Sequence, residues 1–245
     1  MHHFPQDVLG YFVLMDRVEF VAAELGALAD ADKASGMAAY LKTDMPFYGV
    51  QKGPRTPVFR EMKRRYPIND AGEYEAAVLT LWGQPHREEK YFAIGIATGY
   101  REFITFDQVP LYRRLIIEGA WWDLVDDVAA RCVGPVLLNE REAMAPVIET
   151  WNEDPDMWIR RTSLLAHLKH KADTDYEQLF RHCLALAPEK EFFIRKAIGW
   201  SLREYAKTAP DRVRAFALEH REELSGLSFR EATKHLDGQQ TAELG

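Results

Sequence analysis

The feature that most constrains this chain is a helical pattern that recurs about every 35 residues. An aromatic residue stands near the start of a predicted helix at Trp122, at Trp158 and at Phe193, and these positions lie 36 and then 35 residues apart. In an all-helical chain, a period of this length is typical of helix pairs stacked into a solenoid, whose second helices line a concave surface. A compact helical bundle with the same periodicity is the alternative.

Apolar residues recur at helical spacing over nearly the whole chain, and no segment reads as a convincing strand. The predicted helices cover 8–28, 57–66, 74–82, 87–100, 109–117, 121–136, 156–168, 176–186, 191–206 and 210–218. Breaks fall at turn and capping residues, among them Asp70-Ala71-Gly72, Gly134-Pro135 and Ala209-Pro210. No linker interrupts the series, so we predict one all-α domain over residues 1–236 and a disordered tail over 237–245.

The composition is that of a globular protein. Of the 245 residues, 47% are hydrophobic and 28% are charged, which is sufficient for one continuous core. The first residues lack a cationic stretch, and Asp7 and Asp16 interrupt the apolar residues that follow, so we expect neither a secretory signal nor a membrane span. Cys132 and Cys183 cannot form a disulfide framework, which suggests a reducing cytoplasm.

The formal net charge of -7 argues against a nucleic-acid partner, but the distribution of charge argues for one. Basic residues dominate 42–65, and 157–172 contains no acidic residue, whereas acids collect in 7–32 and 140–156. The basic stretches would suit the lining of one groove, and the acidic ones an outer surface. Taken singly, each run would equally suit a solvated helix face.

Two tryptophans and a carboxylate lie together in the central part of the chain. Trp122 and Asp126 are four residues apart and share a helix face, while Trp121 would point about 100° away. A buried carboxylate beside an indole is unfavourable unless it is paired, so we expect Asp126 to line a wet or cationic cavity. Alternatively, both tryptophans pack in the core and Asp126 solvates a helix face.

Metal and cofactor signatures are weak. His167, His170 and His182 are candidate ligands, but lysines lie among them and no fixed Cys/His spacing recurs. The sequence has neither a glycine-rich phosphate loop nor a local Ser-His-Asp signature. We therefore expect neither a metal nor a cofactor.

Together these segments resemble the AlkD-like DNA alkylation-repair glycosylases, a family of HEAT-like helical repeat proteins that remove alkylated bases from DNA. The resemblance runs from about Tyr40 to about Leu236. The matching motifs are Tyr40-Leu41-Lys42 with Pro46 to Gln51, Trp121 to Asp126, Trp158 to Arg161, and Phe193 to Trp200 followed by Leu202 to Tyr205. The resemblance implies a HEAT-like solenoid with a concave DNA-binding groove.

The resemblance also implies roles for individual residues. Asp126 would be the catalytic carboxylate, and Trp122 and Trp200 would be aromatic walls around the damaged nucleotide. Arg161 would bind a phosphate, with its neighbour Arg160 as the rival for that role. Tyr40 and Gln51 would touch DNA near the lesion, and Lys42 belongs to the basic stretch beside them.

The implied reaction is hydrolysis of the N-glycosidic bond of a cationic purine, such as 3-methyladenine or 7-methylguanine, in duplex DNA and without full base flipping. Methylation makes the base a good leaving group, so catalysis mainly requires a carboxylate that stabilises an oxocarbenium-like sugar. We expect a monofunctional, monomeric hydrolase of the cytoplasm. The alternatives are a non-catalytic DNA-binding module and a helical scaffold for a protein partner.

Overall fold

A computed structural model of the chain describes residues 6–236, with side chains from residue 14 onward. Every regular element within this range is helical, so the all-α prediction is confirmed. None of the helices in the described range is both long and apolar enough to cross a membrane. The contacts divide the chain into two compact units, Met1–Phe103 and Ile104–Gly245. The single domain over 1–236 stays a prediction, and the predicted tail over 237–245 lies outside the described residues.

The first unit is a small helical cluster. Its helices are α1 (Gln6–Ala27), α2 (Ala31–Leu41), α3 (Lys52–Arg65), α4 (Ala71–Trp82) and α5 (Arg87–Gly99). Helix α1 packs on α3 and α4, and α4 packs on α5. Aspartates start two of these helices: Asp30 accepts the Lys33 N–H at 3.0 Å and Asp70 accepts the Glu73 N–H at 2.8 Å. Such caps satisfy N–H groups that have no partner within the helix.

The second unit stacks its helices in two layers. Its helices are α6 (Val109–Gly119), α7 (Trp122–Val128), α8 (Gly134–Asn139), α9 (Arg141–Asn152), α10 (Met157–Leu165), α11 (Tyr176–Ala185), α12 (Phe192–Ala206), α13 (Pro210–Glu219) and α14 (Gly226–Thr233). Continuous α7–α8, then α10, α12 and α14, pack side by side in one row. Helices α6, α9, α11 and α13 pack against members of this row.

The period seen in the sequence equals the step from one helix of this row to the next. Arg161 on α10 bonds Asp126 on α7, 35 residues earlier, and Ser201 on α12 bonds the Leu164 carbonyl, 37 residues earlier. Lys196 on α12 bonds Glu231 on α14, 35 residues later. Stacked helix pairs are therefore confirmed for the second unit.

A π-turn, Ala129–Val133, joins α7 to α8, and the Gly134 N–H bonds the Ala129 carbonyl five residues back. Its physical cause is Pro135, which has no N–H and would clash with the carbonyl four residues earlier in a regular helix. The wider turn gives the proline ring room. Gly134-Pro135, predicted as a break, therefore lies within a continuing helix.

Helices α2, α9 and α14 lie where the apolar pattern predicted none. Helix α14 buries only the small residues Ser228 and Ala232, so its apolar signal is weak. Helix α9 contains Pro146, yet Met144, Ile148 and Trp151 form a buried stripe at helical spacing.

Candidate active site and nucleic-acid interface

An ion pair between Asp126 and Arg161 forms the centre of the candidate site. The Arg161 Nε donates to Asp126 Oδ1 at 2.8 Å, and its Nη2 donates to Oδ2 at 2.9 Å. The Arg161 side chain is 4% exposed and the Asp126 side chain 16% exposed. A bidentate pair of this kind is short and directional, so it fixes the plane of the carboxylate. Asp126 therefore meets a cation, as the sequence led us to expect.

Burial and pairing act in opposite directions on the charge of Asp126. Burial raises the pKa of the Asp126 carboxyl above its ordinary value, while the hydrogen bonds and charge of Arg161 oppose that rise. The neighbouring Asp127 and Asp123 add smaller like-charge effects that raise the pKa further. Arg161 therefore favours the ionised form of this largely buried carboxylate.

Arg161 is itself held from the next repeat. Its Nη1 donates to the Phe193 carbonyl in the first turn of α12, and its Cζ lies 5.8 Å from the Phe193 ring centroid. The Phe193 ring contacts Trp158 and Trp121, with centroids 4.9 Å and 5.5 Å apart. The sequence pattern did not reveal the Phe193 carbonyl as a ligand of Arg161, because a main-chain oxygen leaves no trace in residue type.

The structure corrects the predicted geometry of Trp121. This residue precedes α7 in an extended conformation, with φ -155° and ψ 145°, so the 100° rotation expected on a helix does not apply to it. Its ring packs against Trp158 at a centroid distance of 6.0 Å. Trp121 thus belongs to an aromatic cluster with Trp158 and Phe193, the residue that Arg161 contacts.

Trp122 and Trp200 are both half-buried. Trp122 begins α7, one turn before Asp126, so the two side chains leave the same side of that helix. Trp200 packs against the apolar core of the C-terminal helices, two turns beyond Phe193 on α12. The preceding Gly199 allows close packing there, since a Cβ at this position would lie 2.4 Å from the Glu231 Cβ.

Arg160 takes a different set of partners from Arg161. Its Nε donates to Glu189 Oε1 at 2.7 Å, and its Nη1 donates to the carbonyls of Asp154 and Pro155 at 2.8 Å and 3.0 Å. The two adjacent arginines therefore engage different acids. Of the two, Arg161 is the one that bonds the Asp126 carboxylate.

Tyr40, Lys42 and Gln51, the remaining predicted DNA contacts, belong to the first unit. Tyr40 lies at the end of α2 and is 75% exposed, and Lys42 follows in the left-handed region at φ 51°. Gln51 is the exposed residue immediately before α3. Their roles in DNA binding stay predictions.

A buried glutamate that the sequence patterns did not single out fixes the segment before Gln51. Glu88 accepts the N–H groups of Tyr48, Gly49 and Val50 at 3.1, 2.9 and 3.0 Å. Gly49 has a φ of 85°, and a Cβ there would lie 2.0 Å from the Asp30 carbonyl oxygen. Only glycine fits this position, which explains the glycine of the Pro46 to Gln51 motif.

The basic stretches are partly occupied by local contacts. Arg64 and Arg65 both pair with Glu61, at 2.7 Å in each case. His167 and His170 are buried. In the described part of the chain, no group of three or more His, Cys, Asp or Glu side chains is arranged to hold a metal ion.

Fold and site together define a helical-repeat protein with a largely buried carboxylate paired to an arginine. Its sequence matches the model of the DNA alkylation repair enzyme family over residues 21–236, and the chain belongs to that family of repair enzymes. The resemblance inferred from the motifs is thereby confirmed at the level of the family.

A solved structure of a "predicted DNA alkylation repair enzyme from Enterococcus faecalis" is similar, with a TM-score of 0.78 and 26% sequence identity. The similarity covers 85% of this chain and 96% of that one. A search of curated protein sequences gives no significant match.

Proposed function

We propose that this protein is a monofunctional DNA glycosylase that excises cationic alkylated purines, such as 3-methyladenine and 7-methylguanine, from duplex DNA. The observation that carries the proposal is the largely buried but still accessible Asp126 carboxylate, held in one plane by Arg161. Membership of the DNA alkylation repair family supports DNA as the partner.

The chemistry assigned to Asp126 is electrostatic. Departure of a cationic base leaves positive charge on the sugar, and a fixed carboxylate in a partly water-excluded site stabilises that charge. Arg161 engages one lone pair on each oxygen, so the remaining lone pairs can orient a water molecule for attack on the sugar. Because the leaving group is already cationic, no acid is needed. That the base is not fully flipped out is implied by the family resemblance.

Trp122 and Trp200 are proposed as the walls of the site. Both are half-buried, and Trp122 shares the helix side of Asp126. Indole faces offer cation–π contact to a positively charged sugar and exclude water, which strengthens the field of the carboxylate.

Arg161 is proposed as the phosphate-binding cation, in preference to Arg160. Three of its five N–H groups serve Asp126 and the Phe193 carbonyl, and the other two can donate to a phosphate oxygen. A phosphate bound there would share Arg161 with Asp126 and place the sugar beside the carboxylate. Arg160 is committed to Glu189 instead.

Tyr40, Lys42 and Gln51 are proposed as further DNA contacts because all three are exposed. The rigid segment between Pro46 and Val50 would present Gln51 in a fixed position. We further propose that the protein acts as a monomer in the cytoplasm and uses no cofactor.

The test is release of free methylated base from methylated duplex DNA by the wild-type protein and by Asp126→Asn. The asparagine removes the negative charge at nearly constant volume, so release should slow by roughly 10² or more. The matched control is Asp127→Asn on the same helix, because the Asp127 side chain is 56% exposed and lies 3.8 Å from Arg131. Circular dichroism must show that each variant is folded at the assay temperature.

Other outcomes would assign the protein to a different class. If the wild type releases no base but binds DNA with strong salt dependence, it is a non-catalytic DNA-binding module. If it neither releases base nor binds DNA at low salt, it is a helical scaffold. Equal rates for Asp126→Asn and wild type would remove Asp126 from the mechanism.

A further inference from the structure

The helices that carry Asp126 and Arg161 meet a second time, away from the ion pair. Gly134, the first residue of α8, lies against the Ala166 carbonyl at the end of α10, and a Cβ on Gly134 would lie 2.7 Å from that oxygen. His170 closes the same contact, since its Nε2 lies 2.8 Å from the Gly134 carbonyl oxygen. Both Gly134 and His170 are buried.

The His170 bond has a definite direction. A carbonyl oxygen only accepts, so Nε2 must carry the proton and donate it. The imidazole then acts as a fixed N–H donor on the segment that follows α10. It holds α8 to the end of the helix that bears Arg161.

The π-turn is what allows both contacts. Eight residues separate Asp126 from Gly134, and in a regular helix they would advance about 800°, which leaves the two positions about 80° apart. A π-turn takes one extra residue, which removes about 100° and brings the two positions to within about 20°. Asp126 and Gly134 therefore both face α10, whereas in a regular helix they would point about 80° apart.

We propose that Gly134 and His170 are positioning residues, which hold the helix of Asp126 against the helix of Arg161 and thereby fix the geometry of the ion pair. With the π-turn between them, the two contacts define both the spacing and the rotation of these helices. The catalytic consequence rests on the proposed glycosylase function, whereas the effect on the ion pair does not.

The test compares His170→Leu, which removes the donor, with His170→Gln, whose amide can restore an N–H near the position of Nε2. The first readout is hydrogen exchange of the Arg161 Nε–H by NMR, with the signal assigned through its loss in Arg161→Lys. His170→Leu should speed this exchange about fivefold or more, the equivalent of one lost hydrogen bond, and His170→Gln should restore most of the protection. Base release should fall and recover in parallel.

His182→Leu is the matched control for a lost buried imidazole. His182 bonds Glu149 on α9, at 2.9 Å, rather than α8. This variant should lose stability without changing exchange at Arg161. Equal exchange at Arg161 in His170→Leu and His182→Leu, at similar loss of stability, would overturn the proposal.

Gly134→Ala tests the same contact through sterics. The added methyl meets a main-chain oxygen that cannot rotate away, so the two helices must separate and exchange at Arg161 should again rise about fivefold or more. The control is Gly26→Ala, where an added Cβ has no atom within 4 Å. Unchanged exchange in Gly134→Ala would overturn the proposal. If the wild type releases no base but these variants expose Arg161, the positioning role stands and the glycosylase function fails.

Discussion

At the scale of single residues, the site contains a conflict between charge and stability. In the proposed reaction Asp126 must be ionised to stabilise a cationic sugar, but its burial favours the neutral form. Arg161 offsets that burial, and the same ion pair also reduces the net negative charge offered to the sugar. A phosphate that draws on Arg161 would shift this balance toward a more exposed negative charge on Asp126.

This balance predicts the pH dependence of base release. Since burial raises the pKa of Asp126 above its ordinary value of 3.8, activity should fall with acidification at a higher pH than an exposed aspartate would give. Arg161→Gln removes the opposing charge and should move this acid limb to a still higher pH. The measurement is kcat/KM against pH, with Arg160→Gln as the control because Arg160 pairs with Glu189. An acid limb that moves equally in both variants would contradict the assignment.

The sequence predicts some of these residues better than others. Helical spacing alone places Trp122 and Asp126 on one helix face, and the penalty for a lone buried carboxylate indicates a cationic partner. That the partner is Arg161 and not Arg160 depends on the rotation of α10 within the stack, which local spacing does not determine. The roles of Asp126 as the catalytic carboxylate and Arg161 as the phosphate-binding cation are implied only by the family resemblance.

At the scale of elements, the loop between α2 and α3 is as tightly specified as a helix. Glu88 supplies the hydrogen bonds that a turn usually finds within itself, and the left-handed Gly49 lies against the main chain at Asp30. Apolar periodicity cannot reveal such a loop. In the sequence this loop is visible only as a short motif of small and aromatic residues. The conformation of the motif depends on hydrogen bonds to Glu88, which lies about 40 residues later in the chain.

Gly49→Ala should therefore lower the free energy of unfolding by about 2 kcal/mol or more, since it combines strained backbone with a clash at 2.0 Å. Urea denaturation measures the loss. Gly36→Ala, within α2 and with no atom near an added Cβ, should be neutral or slightly stabilising. Equal stability of the two variants would show that the loop is less constrained than its contacts imply.

At the scale of the whole molecule, the response of stability to pH depends on a cluster of buried histidines in the second unit. The rings of His170 and His182 lie 5.7 Å and 6.4 Å from the ring of His167, which has no hydrogen-bond partner among the described residues at either nitrogen. Burial lowers the pKa of all three imidazoles, most of all that of His167. The folded protein therefore binds protons at these imidazoles less readily than the unfolded chain does.

Stability should accordingly decrease with acidification. The contribution of these histidines to the free energy of unfolding is complete above the ordinary histidine pKa of about 6.5. At lower pH it decreases, by up to about 1.4 kcal/mol per pH unit for each histidine that stays neutral. The free energy of unfolding between pH 7 and pH 5 measures the slope. His167→Phe should reduce it, while His235→Gln, at an exposed position, should not. A stability that is flat over this range would contradict the neutral cluster.

The all-helical class and the repeat can be predicted from the sequence, because the spacing of apolar residues and the 35-residue period are both visible in the residue types. The widened turn at Ala129–Val133 cannot be predicted in this way. Pro135 indicates that the regular helix is interrupted, but not whether the helix ends there or continues through a wider turn. The packing of α14 was missed because its buried positions are small. Apolar periodicity detects helices that bury large apolar side chains. It does not detect a helix whose contacts are made by small residues.

The consecutive arginines of α10 limit how such a chain can gain or lose repeats during evolution. Arg161 bonds Asp126 on α7, the preceding helix of the row, and Arg160 bonds Glu189 in the segment just before α12, the next helix of the row. An insertion or deletion of one repeat between Asp126 and Glu189 would separate a charged side chain from its partner. Repeats can be added beyond the ends of the array without that penalty, so added repeats among relatives should concentrate there.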